Sequence, residues 1–399
     1  MKHRIVVLGA GYAGAYAAGN LARRLSPADT EITVVNAEPD FVQRLRLHQL
    51  AAGQEIAAPK LADVFKGTGI RLHLARVAAI DLERQAVATA DGGSEIGYDT
   101  LLYTLGSAVA GHGVSGVAEH AFHVTSRPAA LRLRARLDAL DRQGEGGRVL
   151  VVGDGLTGIE TATELAESRP GLSVTLVARG ELGARLSAGA RLHLRRACDR
   201  LGITVVEHTG VDAVEATRVL CADGTTLASD ATVWTAGFAI HPIAAASGLE
   251  VTENGQIVVD RTMRSLSHPS VYAAGDSVHA VGDNGRPLPM SCASAGYTGR
   301  QAMKAIVGRL TGRKIANVKL DYVGNHISLG RHDGILQPVD GRGRAKANYL
   351  AGRNAARVKA GIVQLSLWTT SHPTFGLPKR RRDLAPAQQA FAVDRRAAA

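Results

Sequence analysis

The chain has 399 residues, which is too long for one ordinary hydrophobic core and predicts two domains with an additional segment. Hydrophobic residues make up 45% of the sequence but aromatic residues only 4%, so the cores must be built mainly from Ala, Val and Leu. The net charge of +11 is compatible with anionic small ligands, nucleic acid or anionic membrane. Three dispersed cysteines, Cys198, Cys221 and Cys292, favour a reducing, cytoplasmic compartment over a disulfide framework.

Two segments of the chain repeat one pattern. IVVLGAGYAGAYAAGNLA begins at Ile5 and VLVVGDGLTGIETATELA begins at Val149, and each is an apolar strand, a glycine turn and a helix opening with small residues. A second β-branched run follows each segment, EITVVN in the first case and SVTLVA in the second. Strand, glycine turn, helix and strand form the nucleotide-binding unit of doubly wound α/β folds. The repeat therefore predicts two such units, since a solenoid has shorter and more numerous repeats.

Both glycine turns have GxGxxG spacing, with the glycines at Gly9, Gly11 and Gly14 and at Gly153, Gly155 and Gly158. The first glycine of this pattern permits a tight turn, and the second lets the backbone approach a pyrophosphate. The third lets the helix pack closely against the strand. Glycine turns also occur at such junctions for packing alone. The flanking strand and helix nevertheless favour a bound dinucleotide at each turn.

The residues at or just after the end of the second strand of each unit are those expected to contact the adenosine ribose of the bound dinucleotide. The first of these strands ends at Asn36 where an acidic residue is usual, so Asn36 or Glu38 is predicted to bind the ribose hydroxyls, and the alternative for Glu38 is an exposed loop charge. In the second unit Ala178 and Arg179 stand where an NADH site has a carboxylate. Arginine attracts the 2′-phosphate that a carboxylate repels, so the sequence favours NADPH. Arg179 is the first candidate ligand and Arg185 the second, with a solvated loop charge as the alternative for Arg179.

A third nucleotide-related signal is SVYAAGDSV, an apolar strand that ends in Gly275 and Asp276. Ligands of doubly wound sheets bind at the C-terminal ends of the strands, so Asp276 is predicted to contact the ribityl chain of a flavin. An Ala- and Gly-rich helix is expected from Cys292 to about Leu310, followed by a strand pair in NHISLGRHDGILQPVDG and a helix in AARVKAGIVQLSLW. Beyond Pro373 the Pro-, Arg- and Ala-rich composition predicts disorder.

The ordered set GAGYAG, LLYTLGS, GDGLTGIE, VWTAGF and VYAAGD resembles the pyridine nucleotide-disulfide oxidoreductase superfamily over roughly residues 4 to 310. The resemblance implies two doubly wound Rossmann-like α/β domains plus a small C-terminal segment, with FAD on the first unit and NAD(P)H on the second. It implies that Asp276 contacts the ribityl chain. It also implies that Thr104 and Gly106 lie where the chain crosses between the domains, and Ala236 and Gly237 where it returns.

The expected domain boundaries make the FAD domain discontinuous. Its first part covers residues 1–112 and its second part residues 239–312, on either side of an NAD(P)H domain at 113–238. A C-terminal α+β segment covers 313–372, and a basic tail covers 373–399.

The stretch after the first ribose-binding strand reads DFVQRLRLHQLAAG and lacks the cysteine pair that the disulfide reductases carry there. Without that dithiol, electrons must leave the flavin directly for an external acceptor. The stretch and GDGLTGIE are similar to type II NADH dehydrogenases, and Glu160 matches the glutamate that lies beside the flavin and nicotinamide in that branch. The paired glutamines near the quinone site of the branch are absent, because this chain reads PMSCASAGYTGRQA.

Glu160 is the candidate catalytic residue. It is expected in the first turn of its helix, where the helix dipole stabilises a carboxylate whatever its function, and this is the alternative to a catalytic role.

Other candidate residues have two interpretations each. Arg44, Arg46 and His48 are expected to face the flavin or an anionic acceptor, or else to form a helix surface. Cys292 falls in the segment expected near the flavin ring and is predicted to be a small packing residue. Lys359 is predicted to lie on the surface rather than beside the flavin. The 14 histidines show no metal-ligand spacing, and no metal is predicted.

These features predict an FAD-dependent NAD(P)H oxidoreductase that passes a hydride from nicotinamide C4 to flavin N5 and electrons on to a quinone or quinone-like small molecule. One alternative is a reductase for a ferredoxin-like carrier, which a basic surface suits. Another is a flavoprotein with a mainly binding role, but the chain has no basic stripe interleaved with aromatics, so no nucleic acid partner is predicted. An oligomer is compatible with the sequence.

The expected localisation is cytoplasmic. The basic cluster Lys379-Arg380-Arg381-Arg382 is either a solvated tail or a contact for anionic lipid on the cytoplasmic face of a membrane.

Overall fold

Apolar runs beside glycine turns form the strands of the computed structural model, which describes residues 1–93, 95–144, 146–375 and 381–386. β-Branched side chains favour the extended backbone, and glycine favours the turns between strands. In chain order the strands are β1 His3–Leu8, β2 Thr30–Asn36, β3 Arg71–Leu74, β4 Val77–Asp81, β5 Ala86–Thr89, β6 Ile96–Gly97, β7 Thr100–Tyr103, β8 Ser107–Val109, β9 Ala121–Phe122, β10 Arg148–Val152, β11 Ser173–Val177, β12 Thr204–Val206, β13 Val211–Val214, β14 Arg218–Cys221, β15 Thr226–Ala228, β16 Ala231–Trp234, β17 Phe238–Ile240, β18 Ile257–Val258, β19 Val271–Ala273, β20 Val278–His279, β21 Gly324–Ser328, β22 Gly334–Pro338 and β23 Leu350–Ala351.

The helices differ in how they begin. In chain order they are α1 Tyr12–Arg24, α2 Leu47–Ala51, α3 Leu61–Val64, α4 Val117–His120, α5 Arg127–Gln143, α6 Leu156–Ser168, α7 Ala188–Arg200, α8 Ile243–Ala246, α9 Cys292–Leu310 and α10 Gly352–Ser371. A serine hydroxyl accepts a backbone N–H at the start of α5, α7 and α9. By contrast, the N-cap residues of α1 and α6 are Gly11 and Gly155, and the described residues provide no side-chain cap there. The first backbone N–H groups of these two helices are therefore open to another partner.

The two repeats form two parallel five-stranded sheets of the same order. The first sheet runs β19-β7-β1-β2-β3 and the second runs β9-β16-β10-β11-β12. Every neighbouring pair in both sheets is parallel. The strand that carries each glycine turn, β1 or β10, lies in the centre of its sheet. The α/β class with two Rossmann-type units that the repeat predicts is thus confirmed.

The chain crosses between the sheets through a two-stranded ribbon. β8 leads out from the end of β7, and β17 returns from the end of β16, and the two strands pair antiparallel. β19 then joins the edge of the first sheet beside β7. Both crossings therefore lie at the C-terminal ends of β7 and β16, the strands next to those that carry the glycine turns.

The C-terminal part of the chain bridges the two units. The helix predicted from Cys292 to Leu310 is α9, and the predicted strand pair is the antiparallel hairpin β21–β22, so both predictions are confirmed. Ile327, Leu329 and Ile335 of this hairpin belong to the buried apolar cluster of the second sheet. α10 packs on the hairpin and also contacts α1 of the first unit.

The prediction of a disordered tail is wrong for residues 381–386. The Arg382 carbonyl accepts from the amide of Ser26 at 2.8 Å, and the Arg382 amide donates to the Arg24 carbonyl at 3.0 Å. Leu384 is buried in the apolar cluster of the first sheet. One well-buried leucine and a short strand-like pairing hold the segment despite its polar composition.

Two further observations concern the predicted membrane contact. Lys379 and Arg380 of the basic cluster lie outside the described residues, whereas Arg381 is exposed. Within the ranges that the structure describes, no helix is long and apolar enough to span a bilayer.

Candidate active site

The first glycine turn has no space for a side chain at its first and third glycines but has space at its middle glycine. A Cβ on Gly9, where φ is +91°, would lie 2.6 Å from the Thr104 carbonyl oxygen, and a Cβ on Gly14 would overlap the Gly9 oxygen. A Cβ on Gly11 would meet none of the described atoms within 4 Å. Gly9 and Gly14 are therefore required by packing, and Gly11 faces the open space where a pyrophosphate approaches the backbone.

The second turn has the same arrangement. A Cβ on Gly153, where φ is +112°, would lie 2.9 Å from the Ala236 backbone, and one on Gly158 would overlap the Gly153 oxygen. A Cβ on Gly155 would meet no described atom within 4 Å. Open backbone at the middle glycine and the uncapped helix start beside it fit one anionic pyrophosphate at each turn.

A threonine hydroxyl is hydrogen-bonded to the backbone of each turn. Of these two threonines, Thr104 was predicted from the sequence and Thr235 was not. The Thr104 hydroxyl donates to the carbonyls of residues 8 and 9 at 2.7 and 3.0 Å. The Thr235 hydroxyl donates to those of residues 152 and 153 at 2.8 and 3.1 Å. Gly106 and Gly237 follow these threonines with φ of +73° and +118°. The shared T-x-G of TLGS and TAGF is the signal that could have identified Thr235.

Two polar residues lie at the end of β2, and they differ in whether the side chain is already hydrogen-bonded. Asn36 Oδ1 accepts from the Ala10 amide at 2.8 Å, and Asn36 Nδ2 donates to the Glu38 carbonyl at 2.7 Å. Asn36 therefore ties the glycine turn to the strand end with both groups of its amide. The Glu38 side chain is exposed at the same strand end. Of the two candidates for the ribose, this geometry favours Glu38.

Arg44 and Asp276, predicted from separate signals, lie together. Ser107 Oγ donates to Asp276 Oδ2 at 2.7 Å, and Arg44 donates to the Ser107 hydroxyl and carbonyl, both at 2.9 Å. The Arg44 guanidinium also lies 3.6 Å from the Asp276 carboxylate and stacks over Phe238. The cluster occupies the C-terminal ends of β7 and β19, and Gly275 precedes it with φ of +86°. It is the expected place for a polar contact to a flavin ribityl chain.

Cys292, near Asp276, and the buried His48 are both neutral at neutral pH. Burial, with the carboxylate of Asp276 as a second cause, raises the pKa of the Cys292 thiol to about 12. Complete burial lowers the pKa of His48 to about 3, and the charges of Lys359 and Arg46 act in the same direction. The Cys292 thiol is thus protonated, and His48 has no charge with which to bind an anion. Of Arg44, Arg46 and His48, only Arg44 joins the Asp276 cluster.

The prediction that Lys359 lies on the surface is wrong. Lys359 is only 8% exposed, its Nζ donates to the His326 carbonyl at 2.9 Å, and it forms an ion pair with Glu160. The face of α10 that carries it lies against β21 and α6, and these partners are too distant in sequence for local patterning to find. Burial lowers the pKa of the Lys359 ammonium. The Glu160 carboxylate in the ion pair favours the charged form of the lysine and so opposes this effect of burial.

Glu160 is not held by a helix N terminus. α6 begins at Leu156, and its first turn contains no acidic residue, so the expected position of Glu160 in that turn is wrong. The carboxylate is 9% exposed and accepts from the Ser328 amide at 2.9 Å. Its charge is therefore stabilised by Lys359 and by the hairpin rather than by the helix dipole.

The ribose end of the second unit is open and basic. Arg179 follows β11 and is exposed. The neighbouring carboxylate of Glu181 pairs with Arg191 and Arg195, and that of Glu207 pairs with Arg195 and accepts from the Leu182 amide. Both carboxylates are thus already engaged. Arg179 therefore has no ion-pair partner among the described residues, at the strand end where the sequence predicts the adenosine ribose.

The chain belongs to the pyridine nucleotide-disulphide oxidoreductase family, whose model matches residues 3–299. It is a flavoprotein enzyme that uses FAD and a nicotinamide dinucleotide. A NADH dehydrogenase-like protein of Mycobacterium tuberculosis is 31% identical over 349 residues, which cover 82% of this chain and 86% of that protein. The type II NADH:quinone oxidoreductase of Staphylococcus haemolyticus is 25% identical over 389 residues, covering 90% and 94%.

Solved structures share the fold at lower identity. NDH2 from Plasmodium falciparum in complex with NADH superposes with a TM-score of 0.78 at 16% identity, covering 94% of this chain and 97% of that one. An engineered water-forming NADPH oxidase bound to NADPH superposes with a TM-score of 0.67 at 19% identity, covering 84% and 75%. Its substitutions include an Asp-to-Ala change followed directly by an Ala-to-Arg change.

The open middle glycines give a paired prediction. Gly11→Val should lower FAD affinity about tenfold or more, because a side chain there excludes the pyrophosphate from backbone N–H groups whose charge-assisted bonds contribute about 1.5–3 kcal/mol each. Gly155→Val should lower NAD(P)H affinity equally and retain FAD. Flavin content and dinucleotide titration measure the two effects, and each variant is the control for the other. Equal loss of both cofactors in both variants would contradict this.

Proposed function

We propose that the enzyme takes a hydride from NAD(P)H and delivers electrons to a quinone or quinone-like small molecule, without a redox-active disulfide. The buried Lys359–Glu160 pair carries this proposal, because quinone reduction consumes protons as well as electrons. The named quinone reductases among the relatives support it. Cys198, Cys221 and Cys292 are free, and Cys198 and Cys221 are buried, which supports direct electron transfer from the flavin.

Each group of side chains has a separate part in this proposal. The turns at Gly11 and Gly155 bind the two pyrophosphates, and Arg44 and Asp276 orient the ribityl chain. FAD, when bound, supplies hydride acceptance and electron transfer. Lys359 Nζ holds a proton between Glu160 and the β21 backbone, and its burial makes that proton easier to release. The boundaries 1–112, 113–238 and 239–312 are proposed for the discontinuous FAD domain and the NAD(P)H domain between its parts.

The acceptor is tested by separating the two half-reactions. The purified enzyme is reduced anaerobically with NADPH or NADH and then mixed with soluble quinones, a ferredoxin-like carrier or oxygen, while flavin absorbance is followed. Rapid reoxidation by quinones without a carrier supports the proposal. Reoxidation by the carrier protein alone would overturn it in favour of a carrier reductase.

NADPH is proposed as the preferred donor. The support is the pair Ala178 and Arg179 at the end of β11, with the nearby carboxylates of Glu181 and Glu207 already in ion pairs. The engineered oxidase that binds NADPH acquired an Ala-Arg pair in place of Asp-Ala, which supports the same interpretation.

An anionic bilayer is proposed as the surface on which the enzyme works. One side of α10 exposes an apolar face that consists of Val358, Ile362, Leu365 and Trp368. Their spacing is that of one helical face, and Phe375, 66% exposed, packs edge-on against Trp368 at 4.8 Å. Arg353 and Arg357 are exposed at the start of the same helix. An apolar face with basic flanks suits the interface of an anionic membrane, in which hydrophobic quinones also dissolve.

Arg179→Ala should raise the Michaelis constant for NADPH about tenfold or more and that for NADH little. One charge-assisted contact to the 2′-phosphate contributes about 1.5–3 kcal/mol. Steady-state kinetics with both donors measure the effect, and Arg286→Ala, at an exposed arginine far along the chain, is the matched control. Equal effects on the two donors would show that Arg179 does not bind the 2′-phosphate.

Glu160→Gln should slow flavin reoxidation by a soluble quinone at neutral pH. The substitution removes the negative charge beside Lys359, so desolvation lowers the pKa of the ammonium further, and the proton is lost at lower pH. The midpoint of the pH profile for reoxidation should therefore fall by about 1–3 units. Anaerobic flavin reduction by NADPH should keep its rate.

Glu253→Gln, at an exposed loop residue, serves as the control for this substitution. Slower reduction with normal reoxidation would instead mean that Glu160 only positions the nicotinamide. If neither half-reaction changes, Glu160 has no part in the chemistry.

The membrane contact predicts a loss of vesicle binding in the double variant Leu365→Ser, Trp368→Ser. Removing two apolar anchors, of which Leu365 is 61% exposed, should weaken binding to phosphatidylglycerol-containing vesicles at least about tenfold, since each anchor contributes about 1.5–3 kcal/mol when buried. Flotation measures binding, and Leu192→Ser, on the exposed face of α7, is the control. Wild-type flotation by the double variant would contradict the proposal.

A further inference from the structure

One face of α6 carries a row of polar side chains at helical spacing: Glu160, Thr163, Glu164 and Glu167. The row meets the hairpin β21–β22 at several points. The Ser328 amide donates to Glu160, and the Thr163 hydroxyl donates to the Ser328 carbonyl at 3.4 Å. Beyond β21, the Arg331 amide donates to Glu167 Oε2 at 2.6 Å. The row therefore docks the hairpin on the same helix that carries the Gly155 turn.

Glu164 is the most buried member of this row, with no exposed surface. Its Oε1 accepts from Gln54 Nε2 at 2.5 Å, from Ser168 Oγ at 2.9 Å and from Arg331 Nε at 3.2 Å. Its Oε2 is also buried and has no hydrogen-bond partner among the described residues. A buried carboxylate depends on its cation, and the structure places Arg331 in that position.

Two further contacts show how closely the hairpin turn approaches α6. Gly330 has φ of +73°, and a Cβ there would lie 2.6 Å from the Glu167 carboxylate. Arg331 also donates to the Ser168 hydroxyl at 3.2 Å. Gln54 follows α2, the segment that contains His48, so Glu164 joins three distant parts of the chain at one carboxylate.

We propose that Glu164 and Arg331 are a positioning pair for the half-reaction with the acceptor. They hold the hairpin turn on α6, and the hairpin in turn keeps its backbone in contact with Glu160 and Lys359. Neither side chain is assigned a contact with the substrate, so both act through Lys359. This inference rests on the proposed function of Lys359 in supplying a proton.

The consequence for Lys359 follows from its burial. Without Arg331 the turn loses its ionic contact to α6, and water gains access to the backbone of β21. The desolvation that lowers the pKa of Lys359 then decreases, so the pKa rises toward its usual value. This shift is opposite in sign to the one expected for Glu160→Gln, because that substitution removes charge and leaves the burial unchanged.

The test uses the full-length, FAD-loaded Arg331→Ala protein in two measurements. Hydrogen–deuterium exchange of residues 324–338 should be about tenfold faster or more than in wild type, since the turn opens locally. The pH midpoint of flavin reoxidation by a soluble quinone should rise by about one unit. Flavin reduction by NADPH should remain within about twofold, because the Gly155 turn is unchanged.

Arg344→Ala is the matched control, since Arg344 forms an exposed ion pair with Asp340 in the same C-terminal segment and makes no contact to α6 among the described residues. Arg331→Lys, which keeps the charge, should recover most of the pH profile. Gln54→Ala replaces Arg331→Ala if the latter does not retain FAD, and smaller changes of the same sign are expected.

Faster exchange with an unmoved pH midpoint would overturn the proposal, because the pair would then be structural only. Wild-type exchange in Arg331→Ala would overturn it as well. If the wild-type enzyme reduces no quinone, the proposed function fails on its own. In that case the pH profile is measured with the acceptor that does reoxidise the flavin. Together with the hydrogen–deuterium exchange, it still decides the role of the Glu164–Arg331 pair.

Discussion

Each nucleotide turn depends on one threonine hydroxyl that donates to two successive carbonyl oxygens. The first of the two carbonyls, that of Leu8 or Val152, also accepts from the backbone amide of the same threonine, at 2.9 or 2.8 Å. The hydroxyl extends this contact to the carbonyl of the first glycine of the turn. Both threonines directly follow the neighbouring strand, β7 or β16. The same contact brings the threonine against the third glycine of the turn, where no larger residue fits. The middle glycine and the first N–H groups of the helix are thereby left facing outward.

The crossing ribbon, formed by β8 and β17, begins next to the two threonine-bound turns. A threonine beside a glycine turn directly follows each of β7 and β16, and the chain continues from these strands into β8 and β17 respectively. Both turns therefore lie next to this ribbon, each at the C-terminal edge of its own sheet. Arg44, Ser107 and Asp276 lie at this ribbon, which explains why a charge cluster and the ring of Phe238, drawn from four segments of the chain, meet there.

The C-terminal hairpin is anchored mainly to the second unit. Its Asp333 is buried and binds His193 and Arg200 of α7, and this contact lowers the pKa of Asp333 despite burial. Its other side meets the polar row on α6. α10, by contrast, also contacts α1 of the first unit. The segment that carries Lys359 is thus fixed to both units, and its position depends on how they are arranged.

The fold could be predicted from the sequence because its information is local. Strand, glycine turn and helix lie within one stretch of chain, so the spacing of Gly9, Gly11 and Gly14 was sufficient. The location of Lys359 could not be predicted, since a lysine in a helical pattern is normally exposed. Its burial depends on Glu160, which lies about half the chain away. Leu384 is similar, because only its contact with the first sheet distinguishes it from a polar tail.

Glu160 and Glu164 lie one helical turn apart on α6, yet their surroundings give them different capacities. Glu160 has one cation, Lys359, whose proton can be lost because burial disfavours the ammonium. Glu164 has Arg331, whose guanidinium stays charged at any physiological pH. In the proposed function the first pair therefore exchanges a proton with the acceptor, whereas the second pair is proposed only to hold the hairpin in position. Because both pairs are attached to the same hairpin, the proposal makes the burial of Lys359 depend on the Glu164–Arg331 ion pair.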